Sequence, residues 1–452
     1  MISRMTEIKK LENLFQIKES NFVFLFGEDG CDKESIFSEF IKNKACFYYR
    51  MRQCTKDKQF DFFSNELAQK FDIKRESSYE ANFKRLKSHD GSKLVIIIDE
   101  IQNIAKDDTE FIEALVALRQ GKLYPGKVMI FLATSSYMWA KKSFTMIFDK
   151  NIKNLDASIE IEKLSFLDIV RAFPKYSVAD CVGVYGILGG VPAYLKHWDG
   201  NKSIKENVCQ LILRTDGKLF DCPKEHLGIE FRELSGYNTI LEGISSGKEK
   251  LNDLFESSSF PRAKIAVYIN KLVDFNIVSK AVSFDTGGWE NTKKGVYRIS
   301  DPLIHFWYTF VFPNLSELYI LTPEEFYDRF IKSRINSYLE IYFVKVCREY
   351  LMLLNSINKL PLKIESIGTW IGKENTIDII GRSFDKKNIV GICNWNKDIM
   401  PFEDYDKLLT SIKQAKISAE TMYLFSAQSF DERLVELSKT DSKLILVDMT
   451  EL

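Results

Sequence analysis

The stretch NFVFLFGEDGCDKESIFSEF at residues 21–40 has the order of a strand, a glycine-bearing loop and a helix. A loop that binds nucleotide phosphates reads G-x-x-x-x-G-K-[ST] in this position. Its backbone N–H groups face phosphate, its lysine reaches the terminal phosphates and its hydroxyl holds Mg²⁺. With Gly27 as the first glycine, Lys33 stands where the lysine is required. The spacing therefore predicts a phosphate-binding loop at Gly27 and Lys33.

The same loop departs from the pattern at two places. Asp32 stands where the second glycine belongs, and Glu34 stands where serine or threonine belongs. Gly30 is an additional glycine within the loop, and Ser35 is a hydroxyl one place late. A unit charge about 4 Å from phosphate at an effective dielectric near 20 interacts by roughly 4 kcal/mol, about a thousandfold in affinity. These residues predict weak nucleotide binding.

Two later segments predict the remaining parts of a hydrolytic site. In KLVIIIDEIQNI, an apolar strand ends in Asp99, which would orient Mg²⁺, and Glu100, which would activate the attacking water. In VMIFLATSSYMW, the next strand ends in hydroxyl residues, of which Ser135 is predicted to sense the γ-phosphate. The alternative for Asp99 and Glu100 is a capped strand end without catalysis. ATP and Mg²⁺, weakly bound or absent, are the predicted cofactors.

The elements that position these residues follow from the hydrophobic pattern. Up to about residue 165, apolar runs alternate with amphipathic stretches, which predicts an α/β fold with a parallel sheet covered on both faces. The predicted strands are Phe22–Phe26, Ala45–Arg50, Leu94–Ile98, Val128–Ala133 and Ile159–Ile161. The predicted helices between them are Lys33–Lys42, Asp61–Phe71 and Thr109–Gln120.

A helix-turn-helix with a wing is predicted between residues 235 and 313. Apolar residues at helical spacing indicate three helices, with Pro261 as the first residue of the third, followed by two strands. The candidate DNA contacts are the basic residues Arg262, Lys264 and Lys271 on the third helix and Lys293 and Lys294 on the wing. The alternative is that this domain packs against its own chain or a partner protein.

Several segments resemble archaeal-type P-loop ATPases of the STAND/AAA+ group, whose C-terminal region is a domain of unknown function. The resemblance covers almost the whole chain, and its most specific segments are GILGGVPAYL and GVYRISDPLIHFWYTFVFPN. It is also carried by VIIIDEIQNI, LATSSYMW, IESIGTWIGKENTIDIIGRS and LFSAQSFDERL. The resemblance implies a P-loop ATPase core at residues 1–164, a helical lid at 165–225, a winged helix at 226–317 and a restriction-endonuclease-like domain at 318–452.

The C-terminal domain is predicted to have lost its nuclease chemistry. A PD-(D/E)XK nuclease needs an acid on its first helix, an Asp after one strand and Glu-x-Lys on the next. Asp378 supplies the strand acid, whereas the resemblance places Val344 at the helix acid and Ile392-Cys393-Asn394 at Glu-x-Lys. One carboxylate cannot orient a hydrolytic Mg²⁺. Dimerisation, DNA-end binding and protein docking remain open as roles for this domain.

The composition excludes some classes of partner. Lys+Arg and Asp+Glu both number 63, so any contact with a polyanion must come from a local patch. The eight cysteines form no C-x-x-C pair and the four histidines are scattered, so no structural metal is expected. The N-terminus lacks an apolar signal core and no apolar run could span a bilayer, so we expect a cytoplasmic protein without membrane contact.

The leading hypothesis is a degenerate archaeal-type ATPase with a regulatory or scaffolding role near DNA. Its expected partners are DNA, through the winged helix, and a further copy or another protein. A working ATPase in which Ser35 serves the metal is the first alternative. A protein-interaction scaffold that binds neither ATP nor DNA is the second.

Overall fold

The computed structural model describes residues 4–87, 92–104, 108–144, 155–231, 233–284, 295–373 and 375–452. The chain divides into two compact units, Met1–Lys163 and Leu164–Leu452. Lys293 and Lys294, predicted for the wing, lie outside the described residues. Among the described residues, no helix has both the length and the apolar character needed to cross a bilayer.

A five-stranded parallel sheet forms the centre of the first unit. Its strands are β1 (Asn21–Gly27), β2 (Cys46–Arg50), β3 (Leu94–Asp99), β4 (Val128–Thr134) and β5 (Ala157–Ile161). They lie in the order β2-β3-β4-β1-β5, and every neighbouring pair is parallel. All residues of β1, β3 and β4 are buried, because helices cover both faces of the sheet. The predicted parallel α/β fold is confirmed.

The helices of this unit are α1 (Met5–Phe15), α2 (Lys33–Phe40), α3 (Lys56–Phe71), α4 (Tyr79–Lys84), α5 (Thr109–Arg119) and α6 (Tyr137–Lys142). Three of them, α2, α3 and α5, were predicted, and their bounds agree with the prediction to within about five residues. The largest difference is at the start of α3, which begins at Lys56 rather than Asp61. Thr55 before it has the extended backbone of a helix start, and Asp57 lies in its first turn.

Each face of the sheet has its own core. On β1, Phe22 and Phe24 point to a core rich in aromatic side chains, and Val23 and Leu25 point to the opposite one. This division follows from the alternation of side chains along a strand. Phe40 of α2 packs on the second face, so the helix that carries Lys33 is fixed to the sheet by buried apolar contacts.

The strand order brings distant parts of the sequence to one edge. β4 lies between β1 and β3, and neighbouring strands are about 4.8 Å apart. The residues that follow β1, β3 and β4 therefore meet at the carboxyl edge of the sheet. A lysine side chain on the first of these loops can reach a carboxylate at the end of β3.

The second unit begins with helices and a small hairpin. Its first helices are α7 (Phe166–Ala172), α8 (Val178–Leu188), α9 (Pro192–Leu195), α10 (Ile204–Val208), α11 (Cys222–Glu230), α12 (Leu234–Ser245), α13 (Leu251–Ser258) and α14 (Arg262–Asp274). Strands β6 (Val278–Ala281) and β7 (Val296–Ile299) then pair antiparallel. The predicted sequence of three helices and two strands is confirmed. Pro261 is the N-cap of α14 rather than its first residue, so this helix begins one residue later than predicted.

The C-terminal part contains a second sheet of mixed direction. It is preceded by α15 (Pro302–Phe306), α16 (Leu315–Leu318), α17 (Pro323–Phe326) and α18 (Ile335–Ser356). Strands β8 (Ile364–Ile371), β9 (Thr376–Ser383), β10 (Asn388–Asn394), β12 (Ala419–Ser426) and β14 (Leu444–Val447) lie in the order β14-β12-β10-β9-β8. Two-residue strands β11 (Ile399–Met400) and β13 (Ser429–Phe430) pair separately. Helices α19 (Phe402–Ala415) and α20 (Glu432–Thr440) complete this part.

The long helix predicted from Phe326 to about Leu354 is not continuous. The structure has the short helix α17, capped by Thr322 and Glu325, then a π-helical turn at Tyr327–Ile331. A turn separates these from α18, which begins at Ile335. The prediction was wrong about where the long helix begins. The apolar spacing continues across the turn, whereas the α-helical backbone is interrupted there.

Candidate functional site

The loop from β1 to α2 connects Gly27, the last residue of β1, to Lys33, the first residue of α2. Gly27 ends β1, and a Cβ on this residue would lie 2.8 Å from the carbonyl oxygen of Ile161 on β5. A side chain would push these two strands apart. Gly30 within the loop has φ of 82°, a conformation that favours glycine. Lys33 is the first residue of α2.

Asp32 takes the left-handed backbone conformation, with φ of 65° and ψ of 42°. Glycine would adopt this conformation without strain, whereas an L-residue pays roughly 1–2 kcal/mol and aspartate somewhat less. The side chain of Asp32 accepts a hydrogen bond of 2.7 Å from the Ser35 hydroxyl. The loop therefore keeps a turn suited to glycine, and it holds the Ser35 hydroxyl on a protein carboxylate.

Lys33 is buried at the centre of a charge cluster. Its Nζ atom lies 2.9 Å from Oδ1 of Asp99 and 2.6 Å from Oε1 of Glu100. The Glu34 carboxylate is 3.6 Å away, and its side chain is 54% exposed. Burial alone would lower the pKa of Lys33, but the charge of Asp99 and the bond to Glu100 outweigh it and raise the pKa above 10.5. Lys33 is thus protonated, and the carboxylates of the protein itself neutralise its charge.

Asp99 ends β3 and is fully buried. Its Oδ2 atom accepts a hydrogen bond of 2.6 Å from the Tyr48 hydroxyl, and its Oδ1 atom accepts one of 2.9 Å from the Glu100 amide. Burial and the Asp99 carboxylate both raise the pKa of Tyr48, so it remains a donor. The sequence reasoning did not identify Tyr48, which lies on β2 beside β3.

Ser135 and Gln102 hold the other oxygen of Glu100. The Ser135 hydroxyl donates to Oε2 of Glu100 at 2.8 Å, and Nε2 of Gln102 donates to the same atom. Burial opposes ionisation of Glu100, but Lys33, Gln102 and Ser135 outweigh it and lower the pKa below 4.5. Thr134 Oγ1 donates to Oε1 of Gln102 at 2.5 Å. Gln102 is a second residue that the sequence reasoning missed, although it lies two places after Glu100.

Arg50, at the end of β2, is a second cation near the site. Its guanidinium lies 3.6 Å from Oε1 of Glu100 and 3.8 Å from Oε1 of Glu34, and its side chain is 58% exposed. Together with Lys33 it gives two positive charges against the carboxylates of Glu34, Asp99 and Glu100. Asp32 adds a fourth carboxylate nearby. No motif in the sequence points to Arg50, because only the pairing of β2 with β3 places it here.

The residues present fit a magnesium nucleotide in part. The first turn of α2 exposes backbone N–H groups, Lys33 can reach a phosphate and Asp99 can hold Mg²⁺. The place of the metal-binding hydroxyl is taken by Glu34. No group of three or more His, Cys, Asp or Glu side chains within the described ranges is arranged to hold a metal. A magnesium ion would complete its shell with phosphate oxygens and water, as Mg²⁺ usually does.

The predicted DNA contacts on α14 do not share one face. Arg262, Lys264 and Lys271 are all exposed. At about 100° per residue, Lys264 and Lys271 lie on the same side of the helix, while Arg262 is about 160–180° away from them. The Arg262 guanidinium stacks 4.7 Å over the Phe255 ring, and Lys264 Nζ lies 4.6 Å over the Phe260 ring.

Asp378 lies on β9 in a cavity of about 340 Å³ that Val344 and Cys393 also line. Its carboxylate accepts a hydrogen bond of 3.0 Å from the Cys393 amide. Burial raises the pKa of Asp378 to about 6, against the opposing effects of that bond and of Arg348. Arg348, which the sequence reasoning missed, donates to the Asp378 carbonyl at 2.7 Å and to the Thr369 hydroxyl. Arg348 is therefore bonded to the backbone of the predicted strand acid, and Glu249 and Glu340 line the same cavity.

Two family models match the chain. Residues 1–198 match a family described as an ATPase domain predominantly from Archaea, and residues 307–412 match a family of archaeal and bacterial proteins of unknown function. An uncharacterized protein of Methanocaldococcus jannaschii is 26% identical over 406 residues, which cover 88% of each chain.

Solved structures give more distant likenesses. A Walker-type ATPase of Pyrococcus abyssi is 15% identical with a TM-score of 0.45, over 68% of this chain and 96% of that one. The ORC2 protein of Aeropyrum pernix is 11% identical with a TM-score of 0.45, over 71% of this chain and 95% of that one.

Proposed function

We propose that this chain binds Mg-ATP weakly and does not hydrolyse it at a measurable rate. Its residues 1–198 match the archaeal ATPase family, and its residues 307–412 match the family of unknown function. The observation that carries the proposal is the pairing of Lys33 with both Asp99 and Glu100. This cluster has the residue types of a nucleotide site, but its lysine and its carboxylates are paired with one another.

Nucleotide binding is supported by the convergence of four groups. Lys33, Asp99, Glu100 and Ser135 come from three separate segments of the chain, and each is linked to the next within 2.9 Å. A buried cluster of charges costs desolvation energy that a hydrophobic replacement would avoid. Its position beside the N-terminus of α2, which attracts anions, supports a role in binding phosphate.

Weak binding is supported by the charge balance. A nucleotide phosphate can bind Lys33 only if the ion pairs of Lys33 with Asp99 and Glu100 break. The bound phosphate would then lie near the carboxylates of Glu34 and Asp32 at the start of α2. Mg²⁺ offers a replacement charge, because a cation held by Asp99 would compensate that carboxylate when Lys33 turns to phosphate. We therefore expect nucleotide binding to depend steeply on Mg²⁺.

The absence of turnover is supported by the bonds of Glu100. Oε1 of this carboxylate is held by Lys33, and Oε2 accepts from Ser135 and Gln102. A general base needs an oxygen within hydrogen-bond reach of the attacking water. While Lys33 holds Oε1, both oxygens have protein donors and the pKa of Glu100 is lowered, which makes this residue a poor proton acceptor at neutral pH.

A thermal-shift and turnover experiment tests this function. ATP with Mg²⁺ should raise the melting temperature slightly, ATP without Mg²⁺ should not, and Lys33→Ala should abolish the shift. No phosphate release above background is expected. Turnover at an ordinary rate that Glu100→Gln removes would establish the working ATPase instead. A melting temperature that Mg-ATP never changes, in titrations to millimolar nucleotide, would favour the protein-interaction scaffold.

We also propose that the domain containing α14 contacts DNA as part of a regulatory or scaffolding role. Exposed Lys264 and Lys271 on one side of α14 support this proposal, and two or three cations would give non-specific, salt-sensitive binding. A filter-binding series should show affinity falling steeply with salt, and Lys264→Ala/Lys271→Ala should weaken it. Binding that ignores salt or this double substitution would refute the DNA role of α14.

A last part of the proposal concerns the C-terminal domain, which we infer performs no metal-dependent cleavage of nucleic acid. The support is that the Glu-x-Lys positions hold Ile392 and Asn394, and that Arg348 donates to the Asp378 backbone carbonyl and acts to lower the pKa of its carboxyl group, against the larger effect of burial. Incubation of the protein with plasmid and Mg²⁺ or Mn²⁺ should leave the plasmid intact. Cleavage that Asp378→Asn abolishes would overturn this inference.

A further inference from the structure

A basic cavity lies at the edge of the first sheet opposite the Lys33 site. Its volume is about 730 Å³, and it is lined where β2, β3 and β4 begin. Lys44 and Ala45 precede β2, Leu94 is the first residue of β3, and Tyr124 precedes β4. Because the strands are parallel, their amino ends lie at the edge away from Gly27 and Asp99.

The lining is strongly cationic. Five of its side chains are basic and one is acidic; they are Lys44, Lys70, Lys74, Arg85 and Lys87, with Asp72. Two of the cations are paired, Lys44 with Glu12 at 2.7 Å and Arg85 with Glu76 at 2.5 Å. With these two acids included, five positive charges stand against three negative ones, which leaves an excess of two. The chain as a whole has no net charge, so this excess is a local property.

Lys70 and Lys74 supply most of the unbalanced charge. Both are exposed, and neither comes within 4.0 Å of a carboxylate oxygen of any described residue. Lys70 is in the last turn of α3, and Lys74 follows two residues after Asp72, the left-handed C-cap of that helix. The end of α3 thus contributes two ammonium groups to the cavity lining, and no carboxylate among the described residues forms an ion pair with either of them.

The floor of the cavity is apolar and belongs to the core. Leu94 and Tyr124 are members of the buried cluster on one face of the sheet, and Phe71 packs against it. Burial raises the pKa of the Cys46 thiol to about 11, partly offset by Lys70. The apolar part of the lining is therefore uncharged and belongs to the core, and the cations are among the remaining lining residues.

From this combination we propose that the cavity binds the phosphate backbone of single-stranded nucleic acid, with one or two nucleotides inside it. Cations that follow a backbone, with apolar or aromatic surface for bases, are the general means of binding single strands. A pocket of this size admits a nucleotide, whereas the rigid rod of a duplex cannot enter a cavity between helix ends and strand starts. The proposal does not depend on nucleotide binding at Lys33 or on α14.

Fluorescence anisotropy with a labelled oligothymidylate of about 12 nucleotides, without a terminal phosphate, tests the proposal on the full chain. Single strands give a slope of about −0.7 in log affinity against log salt for each phosphate neutralised. The double substitution Lys70→Ala/Lys74→Ala should make the slope shallower by about 1.4. At about 50 mM salt, affinity should fall roughly 60-fold, since each of the two contacts contributes roughly eightfold there.

Control variants separate this site from others. Lys10→Ala/Lys58→Ala removes two exposed lysines of the same unit that do not line the cavity, and it should leave affinity unchanged. Lys264→Ala/Lys271→Ala on α14 should leave unchanged the part of the affinity that depends on Lys70 and Lys74. All these positions are exposed, so circular dichroism should show unchanged melting.

Four results would overturn the proposal. They are no binding of the strand at low salt, equal affinity of the cavity variant and wild type, loss of binding only with the α14 variant, and tighter cavity-dependent binding of a duplex. A fifth such result is tighter cavity-dependent binding of ATP than of the strand in the Lys33→Ala background, because the preferred occupant would then be a free nucleotide.

Discussion

Removing the negative charge at position 34 should strengthen nucleotide binding. Glu34 stands where a phosphate-binding loop has its hydroxyl, in the first turn of α2. Its carboxylate lies 3.6 Å from Lys33 Nζ and 3.8 Å from Arg50, so it competes with phosphate for both cations. Glu34→Gln removes the charge and keeps the shape, while Glu34→Thr also restores the metal-binding hydroxyl.

The expected size of the effect lies between two limits. A charge about 4 Å from phosphate costs roughly 4 kcal/mol at an effective dielectric of 20 and about 1 kcal/mol in bulk water. Because the side chain is 54% exposed and can turn toward solvent, the value should lie near the lower limit. A cost of about 1–2 kcal/mol corresponds to roughly 5- to 30-fold in affinity. Glu34→Thr should gain more than Glu34→Gln, because only threonine offers a ligand to Mg²⁺.

Isothermal titration with a slowly hydrolysed ATP analogue and Mg²⁺ measures the change. Glu39→Gln is the matched control, because it removes an exposed acid of the same helix that pairs with Lys42, and it should leave affinity unchanged. Adding Asp32→Gly to Glu34→Thr should increase affinity further, and it should remove the strain of the left-handed backbone conformation at residue 32. If neither Glu34 variant exceeds the Glu39→Gln control, the charge argument for weak binding is incorrect.

Three further substitutions test the charge clusters. Lys33→Met should destabilise the fold by about 3–5 kcal/mol at neutral pH, because Asp99 and Glu100 stay buried without a cation. Since the pKa of Lys33 is raised above 10.5, its stabilisation is complete below that pH and is lost as pH rises through the folded value, so urea denaturation should show wild type and variant converging at alkaline pH. Tyr48→Phe should lower stability by about 1–2 kcal/mol by leaving Oδ2 of Asp99 without a donor, and an unchanged urea midpoint would argue against the bond. Asp378→Asn should raise stability by about 1–3 kcal/mol at pH 8, because a pKa of about 6 makes ionisation unfavourable in the fold, and the gain should vanish below pH 3.8; a less stable variant at pH 8 would contradict the raised pKa.

The sequence alone located the local features of the first unit. Apolar runs bounded by polar residues identified its five strands, and glycine and lysine spacing identified the loop at Gly27–Lys33. Asp99, Glu100 and Ser135 were placed at strand ends because polar residues directly follow buried runs. These predictions succeed because each depends on neighbours within a few residues. The functional roles given to the same residues remain predictions.

The tertiary structure decided which side chains meet. The order β2-β3-β4-β1-β5 places Tyr48 and Arg50 beside Asp99 and Glu100, although about 50 residues separate them in sequence. Packing in the first unit also gathers the ends of α3 and α4 around the amino ends of the strands, so that lysines distant in sequence line one basic cavity. In the second unit, packing places Arg348 of α18 against the backbone of Asp378 on β9. Strand order and helix placement depend on burying complementary apolar faces across the whole chain, and a linear pattern does not specify which faces will be neighbours.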